Sequence, residues 1–232
     1  MTETIPPRRG LQDVISINHP DVLAVRVNEN HEPLVSVSHP RIKKPSEITT
    51  PLDLEDGSMR ARAAVAVALV RAVDSLPSAY GMVFIEGSRS FIQQKELFDA
   101  EVKRFMRKLG STATEEQAGT MAEMFVANPA KYAPHVTGAA VDVTLIRKTN
   151  AAGSPTWELV DMGIDGFSRN ETAATDYPGL TADQKRNRGI LKTAMEQAGF
   201  TNYPAEFWHY SMGDRYDAFC RGTDAVYGEI IQ

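Results

Sequence analysis

From Ser58 onward the chain alternates amphipathic stretches with short apolar runs. Ser58-Met-Arg-Ala-Arg-Ala-Ala-Val-Ala-Val-Ala-Leu-Val-Arg-Ala-Val predicts a helix, capped by Asp56 or Ser58, with its arginines on one side. Its alanines permit close packing against a sheet. Met82-Val-Phe-Ile-Glu86, between Gly81 and Gly87, predicts a buried strand. A second helix is expected from about Ser90 to Leu109, with Gly110 after it. Phe91, Leu97, Phe98, Val102, Phe105 and Leu109 would line its core face. Thr114-Glu-Glu-Gln117 resembles a capping box and opens a shorter helix to about Val126.

Further along, Ala139–Ile146 and Thr156–Val160 read as paired strands around the turn Asn150-Ala-Ala-Gly-Ser-Pro155. A long loop, 161–181, has the length of a functional lid or wall. Thr181 starts the last clear helix, which runs to about Ala198 before Gly199. Phe200–Met212 then reads as strand, interrupted near Pro204. Residues 1–57 differ, being rich in proline and polar residues. Their apolar runs Val14–Ile17, Val22–Val27 and Leu34–Val37 suggest brief strands or extended segments. The expected fold class is α+β, helices on a mostly antiparallel sheet, in one domain over residues 1–232 with 1–57 as a variable N-terminal segment.

Composition narrows the function classes. A net charge of −5 at pH 7 offers no footprint for nucleic acid or an anionic membrane surface. Cys220 is the only cysteine, so no intrachain disulfide can form, which suits a reducing compartment. The first ten residues lack the apolar core of a signal peptide, and no apolar run is long enough to span a bilayer. A cytoplasmic location is expected.

Candidate chemistry lies in two separated stretches, His135-Val-Thr-Gly-Ala-Ala-Val-Asp142 and Glu206-Phe-Trp-His209. Together they could supply three metal ligands and a general base, the set a zinc hydrolase needs. Each stretch also has a plain alternative: a surface-loop histidine beside a strand-edge aspartate, and an aromatic core strand with an incidental histidine. In a regular strand Glu206 and His209 would point to opposite faces, so sharing one site requires a bend near Pro204. Arg89, in Glu86-Gly-Ser-Arg-Ser90, lies at a strand-to-helix junction and could stabilise an oxyanion. On spacing alone it reads as a salt-bridged surface arginine. His19, His31 and His39 read as turn or surface histidines.

With these motifs in view, the chain resembles the VanX-type D-alanyl-D-alanine dipeptidases, a family of zinc peptidases. His135, Gly138, Ala140 and Asp142 meet that family's first pattern, and Glu206-Phe-Trp-His209 meets its second, followed by the similar Tyr210-Ser-Met-Gly-Asp214-Arg215. Gly87-Ser-Arg89-Ser-Phe-Ile-Gln-Gln-Lys-Glu-Leu-Phe98 is similar to its arginine-bearing segment. The resemblance implies the fold of the D-Ala-D-Ala peptidases and the hedgehog domain. It also implies one Zn²⁺ per chain on His135, Asp142 and His209, with Glu206 as base and Arg89 assisting the transition state.

Two positions depart from the family. Ala133 stands where the family usually has a substrate-holding serine, and Phe167 stands where it has an aspartate for the substrate's ammonium, unless Asp165 substitutes. The expected activity is hydrolysis of a small dipeptide, D-alanyl-D-alanine first. The alternatives are a different small peptide or amide, a non-catalytic metal-binding relative, and a carboxypeptidase acting on longer peptidoglycan stems.

Overall fold

The computed structural model describes residues 14–230, apart from 49, 51, 53, 152–153 and 165–170. Its central sheet has the strand order β2-β4-β5-β8-β7, with β6 also paired to β5. These strands are β2 (Ile42–Lys43), β4 (Tyr80–Glu86), β5 (Ala140–Ala151), β6 (Ser154–Leu159), β7 (Thr201–Asn202) and β8 (His209–Ser211). Only β2 and β4 pair in parallel; the other ladders of this sheet are antiparallel. A separate two-stranded ribbon joins β1 (Leu34–Ser36) to β3 (Arg60–Arg62). The α+β class expected from the sequence is the one observed.

Six α-helices accompany these strands among the described residues: α1 (Pro20–Leu23), α2 (Ala63–Ser75), α3 (Phe91–Leu109), α4 (Glu115–Ala122), α5 (Ala182–Gln197) and α6 (Arg215–Arg221). The apolar stripe of α2 buries Val65, Leu69 and Val73, and that of α5 buries Leu191 and Met195. Both stripes join Met82, Phe84, Val141, Val143 and Leu145 in the main core. Because side chains alternate along a strand, Asp142 and Thr144 occupy the opposite face of β5. The core therefore fixes which face of the sheet carries chemistry.

Several elements differ from the sequence reading, each for a local reason. The helix expected from Ser58 begins only at Ala63, because residues 60–62 pair with Leu34–Ser36, so neither Asp56 nor Ser58 caps it; Arg62 stands at the N-cap without a side-chain cap bond. Val22 lies in a short helix started by His19-Pro20, not in a strand, and Val14–Ile17 forms no regular element. On α3 only Gln94 and Phe105 are fully buried, while Leu97 and Leu109 are exposed. Helix α4 ends at Ala122 rather than near Val126. Phe200–Met212 holds two short strands joined by a turn, and α6 follows Asp214, whose carboxylate accepts from Asp217 N. No helix among the described residues is long and apolar enough to cross a membrane.

Arg188 ties the segment after β6 to α5. Its buried guanidinium donates to the carbonyls of Met162 (2.8 Å), Thr172 (2.8 Å) and Ala174, and lies 4.3 Å from the Phe207 ring centroid. Burial pulls its pKa down to about 10, against the opposing pull of the Asp161 and Asp176 carboxylates. Arg188→Met would leave those carbonyls short of donors. A loss of about 3 kcal/mol is expected in urea unfolding, on the scale of several lost buried hydrogen bonds.

Candidate metal centre and active site

Two neighbouring strands bring Asp142 and His209 face to face, since they are Cα partners across β5 and β8. His209 Nδ1 lies 2.9 Å from Asp142 Oδ1. His135 arrives from a 3-10 turn, Pro134–Thr137, just before β5. Gly138 ends that turn at φ 72°, and a Cβ there would come within 2.4 Å of Leu34 Cδ2. The left-handed backbone is what calls for glycine, since the end of the Leu34 side chain can move aside. The turn places His135 Nε2 3.4 Å from Asp142 Oδ1.

The three residues offer ligand atoms within 4.8 Å of one another, and all three are buried. Ligands on a tetrahedral zinc with bonds of about 2.1 Å lie about 3.4 Å apart, so this spacing fits such an ion. Hydrogen bonding supports the same conclusion. His135 Nδ1 lies 2.9 Å from Gly87 O, which can only accept, so Nδ1 carries a proton and Nε2 is the ring nitrogen turned toward Asp142. That Nε2 is buried with no hydrogen-bond partner among the described residues, as is Nε2 of His209. Buried imidazole nitrogens are rarely left so unless a ligand completes them.

Electrostatics within the trio are strong. Burial pushes the Asp142 carboxyl up, but the two histidines beside it outweigh this and hold it well below the usual range. Burial pushes His209 down, and the Asp142 carboxylate outweighs that, so its net shift is upward. The two shifts have opposite stability consequences. Asp142 contributes above an unfolded pKa of about 3.9, and His209 contributes below about 6.5. Metal-free protein should therefore be most stable between these values and lose stability as His209 deprotonates at higher pH. A divalent ion competes with that proton, so zinc affinity should rise over the same interval. Thermal unfolding against pH, with chelator and with zinc, checks both slopes.

Glu206 reaches the site through the bend that strand geometry required. Glu206 N donates to Tyr203 O (2.9 Å), His209 N donates to Glu206 O (3.1 Å), and the Asn202 amide bridges the carbonyls of Glu206 and His209. That turn puts Glu206, at 8% exposure, and His209 beside one cleft. Arg89, His135, Gln94 and Tyr203 line the same cleft, of about 80 Å³. Trp208 and Tyr210 pack into the core, as the alternation predicts.

Arg89 is not a loose surface group. Its guanidinium donates to Glu86 Oε2 (3.1 Å) and Gln94 Oε1 (2.8 Å), and Gln94 in turn donates to Ala127 O (2.8 Å). Sequence reasoning missed Glu86 and Gln94 as supports. The ladder between β4 and β5 shifts register between Phe84 and Glu86, so that Phe84 opposes Val143 and Glu86 opposes Asp142. This bulge moves Glu86 from the core face to the site face. Gly87, next to the bulge, is the only sequence signal of it. Ala133 is buried, and its N–H donates to Glu229 Oε1 (2.9 Å). Asp165 and Phe167 lie outside the described residues.

The family model described as D-ala-D-ala dipeptidase, Peptidase M15, matches residues 105–225, just over half of the chain. The chain belongs to this family. Its match to the D-alanyl-D-alanine dipeptidase of Synechocystis sp. is 39% identical over 99 residues, 38% of this chain and 37% of that protein. The Enterococcus faecium D-alanyl-D-alanine dipeptidase is 35% identical over 80 residues, 34% of this chain and again 37% of the relative. With the Enterococcus faecalis D-alanyl-D-alanine dipeptidase the identity is 28% over 154 residues, 65% and 72% of the two chains. Thus the chain spans little more than a third of the length of the first two relatives in these matches. Among solved structures, VanYB in complex with D-Alanine-D-Alanine aligns with TM-score 0.44 at 18% identity, covering 78% of this chain and 88% of that one. All five candidate site residues of this dipeptidase-family chain lie at one end of the β4–β5–β8 ladder, three of them on the strands or the turn preceding β5.

Proposed function

We propose that this chain is a zinc-dependent peptidase that hydrolyses a small dipeptide, with D-alanyl-D-alanine the first candidate. One observation carries the reading: two histidines and an aspartate converge beside a cleft that also holds Glu206 and Arg89. His135, Asp142 and His209 would hold one zinc ion per chain. When bound, zinc would supply Lewis acidity, making a water more acidic and a carbonyl more electrophilic.

The remaining work falls to the protein's own side chains. Glu206 accepts the proton of the water that attacks the scissile carbonyl and returns it to the departing amine. Arg89 donates hydrogen bonds to the carbonyl oxygen as negative charge develops there. Glu86 and Gln94 hold the guanidinium in place, so little reorganisation is needed at the moment of reaction. Glu86→Gln removes the charge from this support while keeping its shape. The expected result is a fall in kcat of about tenfold with zinc content unchanged, read by alanine release and metal analysis.

Ala133 favours a second reading, hydrolysis of a different small peptide or amide, because a methyl group there offers substrate no hydrogen bond. Purified zinc-loaded protein assayed against D-Ala-D-Ala and a panel of dipeptides separates the two. Turnover of D-Ala-D-Ala above all others supports the first reading; turnover of another amide alone supports the second. We place the protein in the cytoplasm and take residues 1–232 as one domain, the location resting on the single cysteine.

A further inference from the structure

β5 shares one of its edges between two partners. β8 pairs with Ala140–Asp142, whereas β6 pairs from Ile146 onward. Val143 N still reaches Trp208 O (2.9 Å), and Val160 N reaches Leu145 O (3.0 Å), so the sheet forks at Thr144. Thr144 points to the same face as Asp142, one strand period or about 7 Å further along. Leu159 opposes Ile146 and so falls on that face as well.

The fork opens a cleft of about 230 Å³, walled by Leu52, Leu159, Val160, Met162 and Ile164, with Thr144 among the lining residues. It shares no lining residue with the smaller cleft at Glu206 and Arg89. Thr144 is fully buried, and its hydroxyl has no hydrogen-bond partner among the described residues. A buried hydroxyl without a partner costs free energy, which a ligand atom reaching it would recover. Arg188 holds the wall in place through its bond to Met162 O. Asp161 lines the cleft too, but its carboxylate oxygens already accept from Gly163 N (2.8 Å) and Gln184 Nε2 (3.0 Å). A mostly apolar wall with few polar groups is the usual make-up of a side-chain pocket.

We propose that this cleft is a specificity subsite of the same centre. It accepts an aliphatic side chain larger than methyl from one residue of the substrate, and the Thr144 hydroxyl meets a polar atom of that residue. This inference rests on the hydrolytic reading above. It makes the favoured substrate a dipeptide or amide with one leucine-sized side chain.

The test compares D-Ala-D-Ala, D-Ala-D-Leu and D-Leu-D-Ala on the zinc-loaded protein. At least one leucine dipeptide is expected to show about tenfold higher kcat/KM than D-Ala-D-Ala, the scale of filling an apolar pocket. Ile164→Trp, which fills the cleft, should abolish that preference and leave D-Ala-D-Ala turnover within about twofold. Leu159→Phe serves the same purpose if the tryptophan variant fails to fold. Thr144→Val, which removes only the hydroxyl, should lower kcat/KM for the preferred substrate about tenfold. Equal turnover of all three dipeptides, insensitive to filling the cleft, overturns the subsite while leaving the hydrolytic function standing. If none is hydrolysed, the function fails instead, and calorimetric binding decides the subsite. Tighter binding of a leucine dipeptide, lost in Ile164→Trp, would sustain it; equal affinities would overturn it.

Discussion

Glu206→Gln is expected to lower kcat for dipeptide hydrolysis about a thousandfold while leaving zinc bound at one equivalent. The amide keeps the size of the carboxylate but cannot take a proton, and general-base catalysis contributes about 10²–10⁴-fold. Glu206 lies outside the trio His135, Asp142 and His209, so its loss should spare the ion. Its backbone turn, held by Tyr203, Asn202 and His209, does not depend on the carboxylate, so the fold should also be spared. Metal analysis together with initial rates checks both halves. Equal hydrolysis by wild type and variant would remove Glu206 from the mechanism and favour a metal-binding, non-catalytic role.

His135→Ala should have the second large effect, this time on the ion itself. It removes one of the three proposed ligands, a ring whose orientation is set by the bond between Nδ1 and Gly87 O. Zinc at about a thousand times its Kd stabilises a folded protein by about 4 kcal/mol. Wild type should show that gain as a rise in Tm on zinc addition, and the variant should show almost none. Hydrolysis should fall to background. A variant that retained the zinc-dependent shift would place the ion elsewhere.

The local signals were readable in the chain because they act over a few residues. Thr114 with Gln117 forms the reciprocal cap its sequence suggested, and the helices expected from Ser90 and Thr181 open with the same pairing to Gln93 and Gln184. Short apolar runs bounded by glycine marked β4 and β5 in the same way. Boundaries failed where a tertiary partner took residues from a helix, as β1 does with Arg60–Arg62. They failed too where a proline-started turn replaced an apolar strand, as at Pro20–Leu23.

By itself, the sequence determined the α+β class, the cap at Thr114, and a short list of residues able to bind metal or move a proton. Residue type and spacing suffice for those, since they follow from chemistry and from periodicities of 2 and 3.6. Only the tertiary structure decided which of these groups meet. The bulge before Gly87 turns Glu86 toward Arg89, the turn at 203–209 brings Glu206 alongside His209, and the fork of β5 leaves Thr144 facing a cleft. Each depends on register between strands distant in sequence, where one residue of slip exchanges the buried and functional faces. No local pattern carries that information, because it is set by the partner strand.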